Sequence, residues 1–183
     1  MLNRIEQYPG QPVYLSTITP GNFDLLERAF DDGLIGLFQD VFAEPPHRMH
    51  FTDFKVRDIY HGYARHGGST VVVYDRDAVV GCGTVVPIEW SHIARDLTPN
   101  QDLTESWGVE SVAILPSYRR QGFGKMILER LEMEVPPGQA LFARILDENS
   151  PSVRFFEEAE YKHFEGKTVN GQPYLYYWKV GRV

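Results

Sequence analysis

Cysteine is almost missing from this sequence. Cys82 stands alone among 183 residues, so no disulfide can form within the chain, which suits a reducing compartment such as the cytoplasm. Long hydrophobic runs are also missing. No apolar stretch approaches the roughly 20 residues of a membrane span, and residues 1–12 hold no apolar core that would read as a secretory signal. Neither a membrane nor a secreted location is therefore expected. Basic charge is short: 18 Lys and Arg stand against 25 Asp and Glu, for a net charge of −7. Nonspecific nucleic-acid binding needs basic surface to neutralise phosphates, so no nucleic-acid partner is expected. The acidic balance favours a cationic partner by long-range attraction. The six histidines form no H-E-x-x-H and no cluster with cysteine, so no metal is expected. No G-x-S-x-G marks a hydrolase nucleophile.

What is present is ordinary in bulk, with 43% hydrophobic and 23% charged residues. The length suits one domain over residues 1–183. Residues 13–18 alternate as a strand, closed by Pro20-Gly21. Asn22 caps a helical stripe of Phe23, Leu26, Phe30, Leu34 and Leu37, broken by Glu44-Pro45-Pro46. Gly33 and Gly36 weaken its second half. Thr52 or Asp53 caps a second helix through Phe54, Ile59 and Tyr63. Residues 70–74 and 78–88 read as a hairpin, and 90–107 as a long loop. Residues 140–146 make a strand, and Asn149 or Ser150 opens another helix with Pro151 in its first turn. A final hairpin, 161–168 and 173–180, turns on Asn170-Gly171. The order is βααββ–βα–βα–ββ. The fold class is α+β, with a mixed, mostly antiparallel central sheet flanked by helices.

The most informative stretch is residues 111–131, SVAILPSYRRQGFGKMILERL. An apolar run ends at Pro116, an Arg- and Gly-rich turn follows, and a helix opens out of it. That order aims backbone N–H groups at one point, where phosphate oxygens bind. Two nucleotide motifs fail here. A Walker loop would need Gly where Arg119 stands and Ser or Thr where Met126 stands. A Rossmann loop would need a third Gly where Ile127 stands, and Gly81-Cys82-Gly83 fails likewise at Val86. Cys82 between glycines reads as a small packed residue.

The run Ile114-Leu115-Pro116-Ser117-Tyr118-Arg119-Arg120-Gln121-Gly122-Phe123-Gly124 resembles the pyrophosphate loop of the GCN5-related N-acetyltransferase (GNAT) family, V-x-P-x-Y-R-x-x-G-x-G. Downstream, Asn149, Ser152, Phe156, Glu160 and Tyr161 keep the spacing of the family's N-x-x-A-x-x-x-Y-x-x-x-G-F, with only Asn kept in kind.

The resemblance implies a GNAT-like acyl-CoA N-acyltransferase domain that moves the acetyl group of acetyl-CoA onto a primary amine by direct attack. It implies that Val112, Ala113 and Ile114 bind the pantetheine arm through their backbone, with Ile114 N–H as oxyanion donor. The pyrophosphate then falls to Arg119, Arg120, Gln121, Gly122, Phe123, Gly124 and Lys125. Asn149 bonds the pantetheine or caps its helix. Glu110, four residues before Ile114 and so expected on that residue's face, is the first choice for the base that handles the amine proton. Glu105, Glu89 and His92 are the others.

Phe156, which the resemblance also counts among the residues that line the acetyl-CoA site, lies where the family places a tyrosine that protonates the leaving thiolate. Phenylalanine donates no proton, and a missing general acid costs about 10²–10⁴ in rate. Water, Tyr118 or Tyr161 could take over, or the protein could be a non-catalytic acyl-CoA-binding or regulatory domain. The acceptor, a small-molecule or peptide amine, would meet variable segments holding Phe42, Glu44, Phe54, Tyr60, Tyr63, Glu89, Trp90, Trp107, Tyr174 and Tyr176. Monomer and homodimer both remain open.

Overall fold

The structure, a computed structural model, describes residues 13–97 and 103–181. Residues 1–12, read above for a signal, and Pro99-Asn100 of the long loop lie outside the described residues. Among the described residues, seven strands form one sheet in the order β1-β2-β3-β4-β5-β7-β6. They are β1 Val13–Ile18, β2 Ser69–Asp75, β3 Ala78–Pro87, β4 Ser106–Ile114, β5 Ala140–Leu146, β6 Lys162–Val169 and β7 Gln172–Val180. Only β4 and β5 run parallel; the other neighbours are antiparallel. The expected α+β class and mostly antiparallel sheet are what the chain adopts.

Among the described residues, five α-helices cover the sheet: α1 Phe23–Ala29, α2 Ile35–Ala43, α3 Asp53–Arg65, α4 Phe123–Glu134 and α5 Ser150–Glu158. Asn22 caps α1 at Leu25 N–H, and Thr52 caps α3 at Lys55 N–H. The apolar stripe from Phe23 to Leu37 is one-sided as expected, yet it is not one helix. A wide turn, Phe30–Leu34, separates α1 from α2, with Gly33 at φ 114°. That conformation suits a residue without Cβ.

One face of the sheet carries α4 and α5 over a core of Val85, Val109, Ile127, Leu131 and Ala143. Ile127 and Leu131 are wholly buried, each contributing about 1.5–3 kcal/mol by transfer from water. The other face carries α1 to α3 over Leu34, Phe38, Tyr60, Val72 and Cys82. Beyond β4 that second face is roofed instead by residues 88–97, at the start of the expected loop region. There Ile93 and Leu97 pack on Tyr176.

The 90–107 segment is therefore not plain loop. It holds short 3-10 turns at Ile88–Trp90 and His92–Arg95, and β4 already begins at Ser106. Trp107 to Glu110 pair with β3. Among the described residues, no helix is long and apolar enough to cross a membrane.

Candidate active site

The one parallel pairing does not last. β4 and β5 are in register from Ser106–Ala140 to Val109–Ala143 only. β4 continues to Ile114 beside β3, while β5 runs on to Leu146 beside β7. The two strands thus part after Val109 and Ala143 and leave a fork. Leu115 N–H bonds Val80 C=O across to β3, so the backbone of Ile114, one residue earlier, turns the other way, toward the fork. The side chains of Val112 and Ile114 pack in the α4 core and that of Ala113 in the α3 core. What Val112 and Ile114 offer a ligand is backbone, whereas Ala113, paired with Cys82, turns its backbone to β3.

Next to the fork, Pro116–Tyr118 makes a 3-10 turn and Gly122, at φ 87°, starts α4. Arg120 is also left-handed, at φ 64°. The first α4 bond runs from Met126 N–H to Gly122 C=O, and no side chain caps this end. The Gly124 and Lys125 N–H groups of this first turn are therefore directed out of the helix end, where the helix dipole favours an anion.

A Cβ on Gly124 would stand 3.1 Å from the Phe155 ring and 3.4 Å from Ile114 Cδ1. Glycine there lets loop, strand and α5 close together. This cradle fits a pyrophosphate on geometry and on charge. Arg120 and Lys125 stand exposed beside it.

Arg119 is used differently. Its Nε donates to Ile114 C=O at 3.1 Å and its Nη2 to Glu44 at 2.8 Å. It fastens the loop to the strand and to the end of α2, so its expected phosphate contact gives way to a bracing role. Gln121 Nε2 donates to Ser117 C=O, which leaves its backbone for a ligand. The Phe123 ring is in the core.

The expected face of Glu110 needs correction. Thr84 pairs with Glu110, Cys82 with Ala113, and Gly81 with Ile114. Ser111 and Val112 both stand opposite Gly83, a bulge with Ser111 at φ 55°. The extra residue reverses the alternation, so Glu110 shares the face of Ala113 and looks away from that of Ile114. The bulge is held from behind. Cys82 Sγ donates to Ser111 C=O at 3.6 Å and lies 3.2 Å from Tyr60 OH. Burial pushes this thiol up to about 12, so Cys82 is a neutral donor as well as a packed residue.

Glu110 sits at the tip of the fork with its side chain 13% exposed. Its Oε1 accepts from Ser91 Oγ and from His92 N–H at 3.1 Å, and its Oε2 lies 3.6 Å from His92 Nδ1. Burial pushes its carboxyl up. The hydrogen bond and charge of His92, the Ser91 hydroxyl and the Arg144 charge outweigh burial, and the net position is below the ordinary 4.5. Such a carboxylate stabilises the fold above its unfolded titration range, and that stability is lost as pH falls through the depressed value. Glu110→Gln is therefore expected to lower stability near neutrality yet flatten its acid limb. Urea unfolding between about pH 3 and pH 7 measures both.

Sequence reasoning missed the partners of this carboxylate. Arg144 follows Ala143 on β5 as Glu110 follows Val109 on β4, so the two face the same side where the strands part. Arg144 Nη1 donates to Asp96 Oδ2 at 2.6 Å, Tyr176 OH donates to the same oxygen at 2.8 Å, and Lys167 Nζ donates to Asp96 C=O at 2.7 Å. Asp96 thereby ties the 3-10 turn His92–Arg95 to β5, β6 and β7, while Ser91 ties its other end to β4. A charged β5 residue beside a buried strand was the available signal.

The remaining expectations divide. Asn149 does cap α5, accepting from Ser152 N–H, and its Nδ2 meets His47 Nε2 at 3.3 Å. Burial pushes His47 down, which keeps it neutral and able to accept that bond. Phe156 is only 5% exposed, edge-on to Phe155 and Tyr161 in the core. It does not line a donor site as expected; Phe155 is the ring that reaches Gly124.

Tyr118 OH donates to Asp75 at 2.7 Å, which pushes it up, and Tyr161 OH is buried in the core. Neither hydroxyl faces the fork. Tyr60, Tyr63 and Tyr176 are core. Trp90 is exposed and stacks on His66 at 3.5 Å. Among the described residues no group of three or more His, Cys, Asp or Glu could hold a metal ion.

A mixed seven-stranded sheet that splays beside a glycine-built anion cradle defines the acyl-CoA N-acyltransferase class. A model of the Acetyltransferase (GNAT) family matches residues 25–161, and the chain belongs to that family. Among solved structures, the chain is similar to ribosomal-protein-alanine N-acetyltransferase from Brucella melitensis, with TM-score 0.64, 17% identity, 90% of this chain and 99% of that chain covered. It is similar to yncA from Salmonella typhimurium, solved with its cofactor acetyl-CoA, with TM-score 0.65, 12% identity, and 91% and 93% covered. It is also similar to Arabidopsis thaliana NAA60 in complex with acetyl-CoA, with TM-score 0.59, 13% identity, and 91% and 98% covered. These identities speak for the fold. A search of curated protein sequences gives no significant match.

Proposed function

We propose that residues 1–183 form a single N-acetyltransferase domain that uses acetyl-CoA to acetylate a primary amine of a small molecule or peptide. The observation that carries this is the fork. It has an N–H cradle at Gly122 to Lys125 on one side, the turned-out backbone of Ile114 along it, and the ionised Glu110 at its tip. Acetyl-CoA supplies an activated acyl group. The residues supply placement, which removes association entropy from the chemical step.

Arg120 and Lys125, with the N–H groups of Gln121, Gly122, Phe123 and Gly124, hold the pyrophosphate. The Val112 and Ile114 backbone and Asn149 hold the pantetheine, with Ala113 fixing the strand to β3, and Ile114 N–H polarises the thioester carbonyl. Glu110 supplies the negative charge that favours the acceptor's ammonium at the tip of the fork. The lone buried thiol suits a cytoplasmic setting, and one copy of the chain carries all these groups.

The test is thiol release from acetyl-CoA with a panel of amines. Alanine-initiated peptides head the panel, because one similar structure is a ribosomal-protein-alanine N-acetyltransferase. Turnover well above the amine-free rate is expected for at least one member. One specific observation favours the second reading, a non-catalytic acyl-CoA-binding protein: no tyrosine hydroxyl among Tyr118 and Tyr161 faces the fork. Acetyl-CoA binding without turnover on any amine would establish that reading instead. Where turnover occurs, water protonates the thiolate.

A further inference from the structure

The acceptor amine is held largely as ammonium at neutral pH, with a pKa of about 10 for an alkyl amine and about 8 for a peptide α-amine, and must lose a proton before it can attack. Glu110 is poorly made for that task. Its Oε1 already accepts two hydrogen bonds and its Oε2 faces the His92 ring. Every one of these contacts favours the ionised form over the protonated one. A carboxylate held in this way is a steady charge and a weak base.

His92 is placed otherwise. It opens the 3-10 turn His92–Arg95. Its own N–H is fixed to Glu110, and Ser91 Oγ caps the turn at Ile93 N–H, 3.0 Å away. Asp96 closes the turn and is clamped to Arg144, Tyr176 and Lys167. The ring therefore stands on a backbone fixed at both ends. Its Nδ1 lies 3.6 Å from the Glu110 carboxylate, within ion-pair distance, and its side chain is 46% exposed. With Nδ1 carrying the proton toward Glu110, Nε2 keeps its lone pair and points outward. Catalytic hydrogen bonds are often long before substrate binds.

We propose that His92, oriented by Glu110 at the tip of the fork, takes the proton from the acceptor's ammonium, and that Glu110 fixes its tautomer instead of acting as the base. The inference rests on the acetyltransferase reading above. The N–H bond of the ammonium breaks and its proton passes to His92 Nε2. The freed nitrogen lone pair forms the C–N bond to the thioester carbon, and the C–S bond breaks. The nitrogen's second proton reaches the thiolate through water, and His92 returns its proton to solvent.

The titratable groups around this pair are few. Arg144 stands on β5 with Asp96 behind it, and Tyr63 looks on from α3. Burial and the Glu110 charge push Tyr63 up, so it stays neutral across the working range.

Two measurements on the full chain test the proposal. The first is kcat/KM against pH, with acetyl-CoA and an alanine-initiated tetrapeptide. His92→Gln is expected to lower the plateau about 10²-fold while leaving acetyl-CoA affinity unchanged. It is also expected to replace the wild-type acid limb by one at higher pH, set by the peptide's own amine. Superimposable profiles would overturn the proposal. The second measurement needs no turnover: the nitrogen-15 spectrum of the His92 ring. A neutral ring protonated at Nδ1, with that preference lost in Glu110→Gln, is expected, and an Nε2-protonated ring would overturn it. If the Nδ1 form is present but no amine is acetylated, the acetyltransferase reading fails and takes the proton role with it.

Discussion

Gly124→Trp is expected to abolish acetyl-CoA binding, with a loss of at least ~100-fold in affinity, about 2.7 kcal/mol, read by calorimetry. Gly124 is the second residue of α4, in the turn whose N–H groups form the anion cradle. A side chain here does two things. Its Cβ lands 3.1 Å from the Phe155 ring and 3.4 Å from Ile114 Cδ1, and its indole lies across the helix end that the pyrophosphate would occupy. Gly124→Ala serves as the graded control. A methyl needs Phe155 to give by a few tenths of an ångström, so it costs affinity without blocking the cradle. Thermal unfolding separates a blocked site from a lost fold. If the tryptophan variant is folded and binds acetyl-CoA like the parent, the cradle is not the donor site.

The same replacement shows how local the electrostatics must be. The chain carries a net charge of −7, and the coenzyme is itself an anion, so long-range repulsion works against the complex. Binding depends on what stands at the helix end: the N–H groups, the dipole, Arg120 and Lys125. Arg119 adds charge nearby but is already engaged with Glu44 and Ile114 C=O. Loss of the cradle leaves little to offset the repulsion.

Much of this arrangement was legible because its causes are local. Asn170-Gly171 turns β6 into β7 with both residues at positive φ, a conformation their own side chains permit. The glycine and arginine spacing before α4 reads directly as a helix opening onto an anion. The stripe from Phe23 to Leu37 reads correctly as one buried face, and only the break at Gly33 escapes a periodicity argument.

What was not legible depends on residues distant in sequence. The bulge at Ser111 is held by Cys82 and Tyr60 from other elements. Nothing within residues 106–114 announces it, so strict alternation put Glu110 on the wrong face. Asp96 and Arg144 are 48 positions apart, and their pairing turns a presumed loop into the roof of the fork. Phe156 occupies the family's tyrosine position in sequence, yet packs against Tyr161 in the core. Spacing along a helix fixes its face but not how far the ring reaches.

Gly108→Ala should disable the site from the other side, with turnover falling about 10²-fold and acetyl-CoA affinity little changed. Gly108 lies on β4 two residues before Glu110, so both face the same side. A Cβ added there would clash with Ser91 Oγ and lie 2.6 Å from Ser91 Cβ. Ser91 cannot retreat freely, because its hydroxyl donates to Glu110 and accepts from Ile93 N–H. Relief must come by pushing the whole 91–96 segment off the strand, which carries His92 away from Glu110. Overpacking of this kind costs about 1–3 kcal/mol of stability, visible in denaturant unfolding. Adding Ser91→Gly to Gly108→Ala removes the clash without restoring the hydroxyl. Stability should then recover while turnover stays low, which separates crowding from the lost Ser91–Glu110 bond. Should Gly108→Ala turn over as fast as the parent, the placement of Ser91 and His92 against Glu110 is not what the reaction uses.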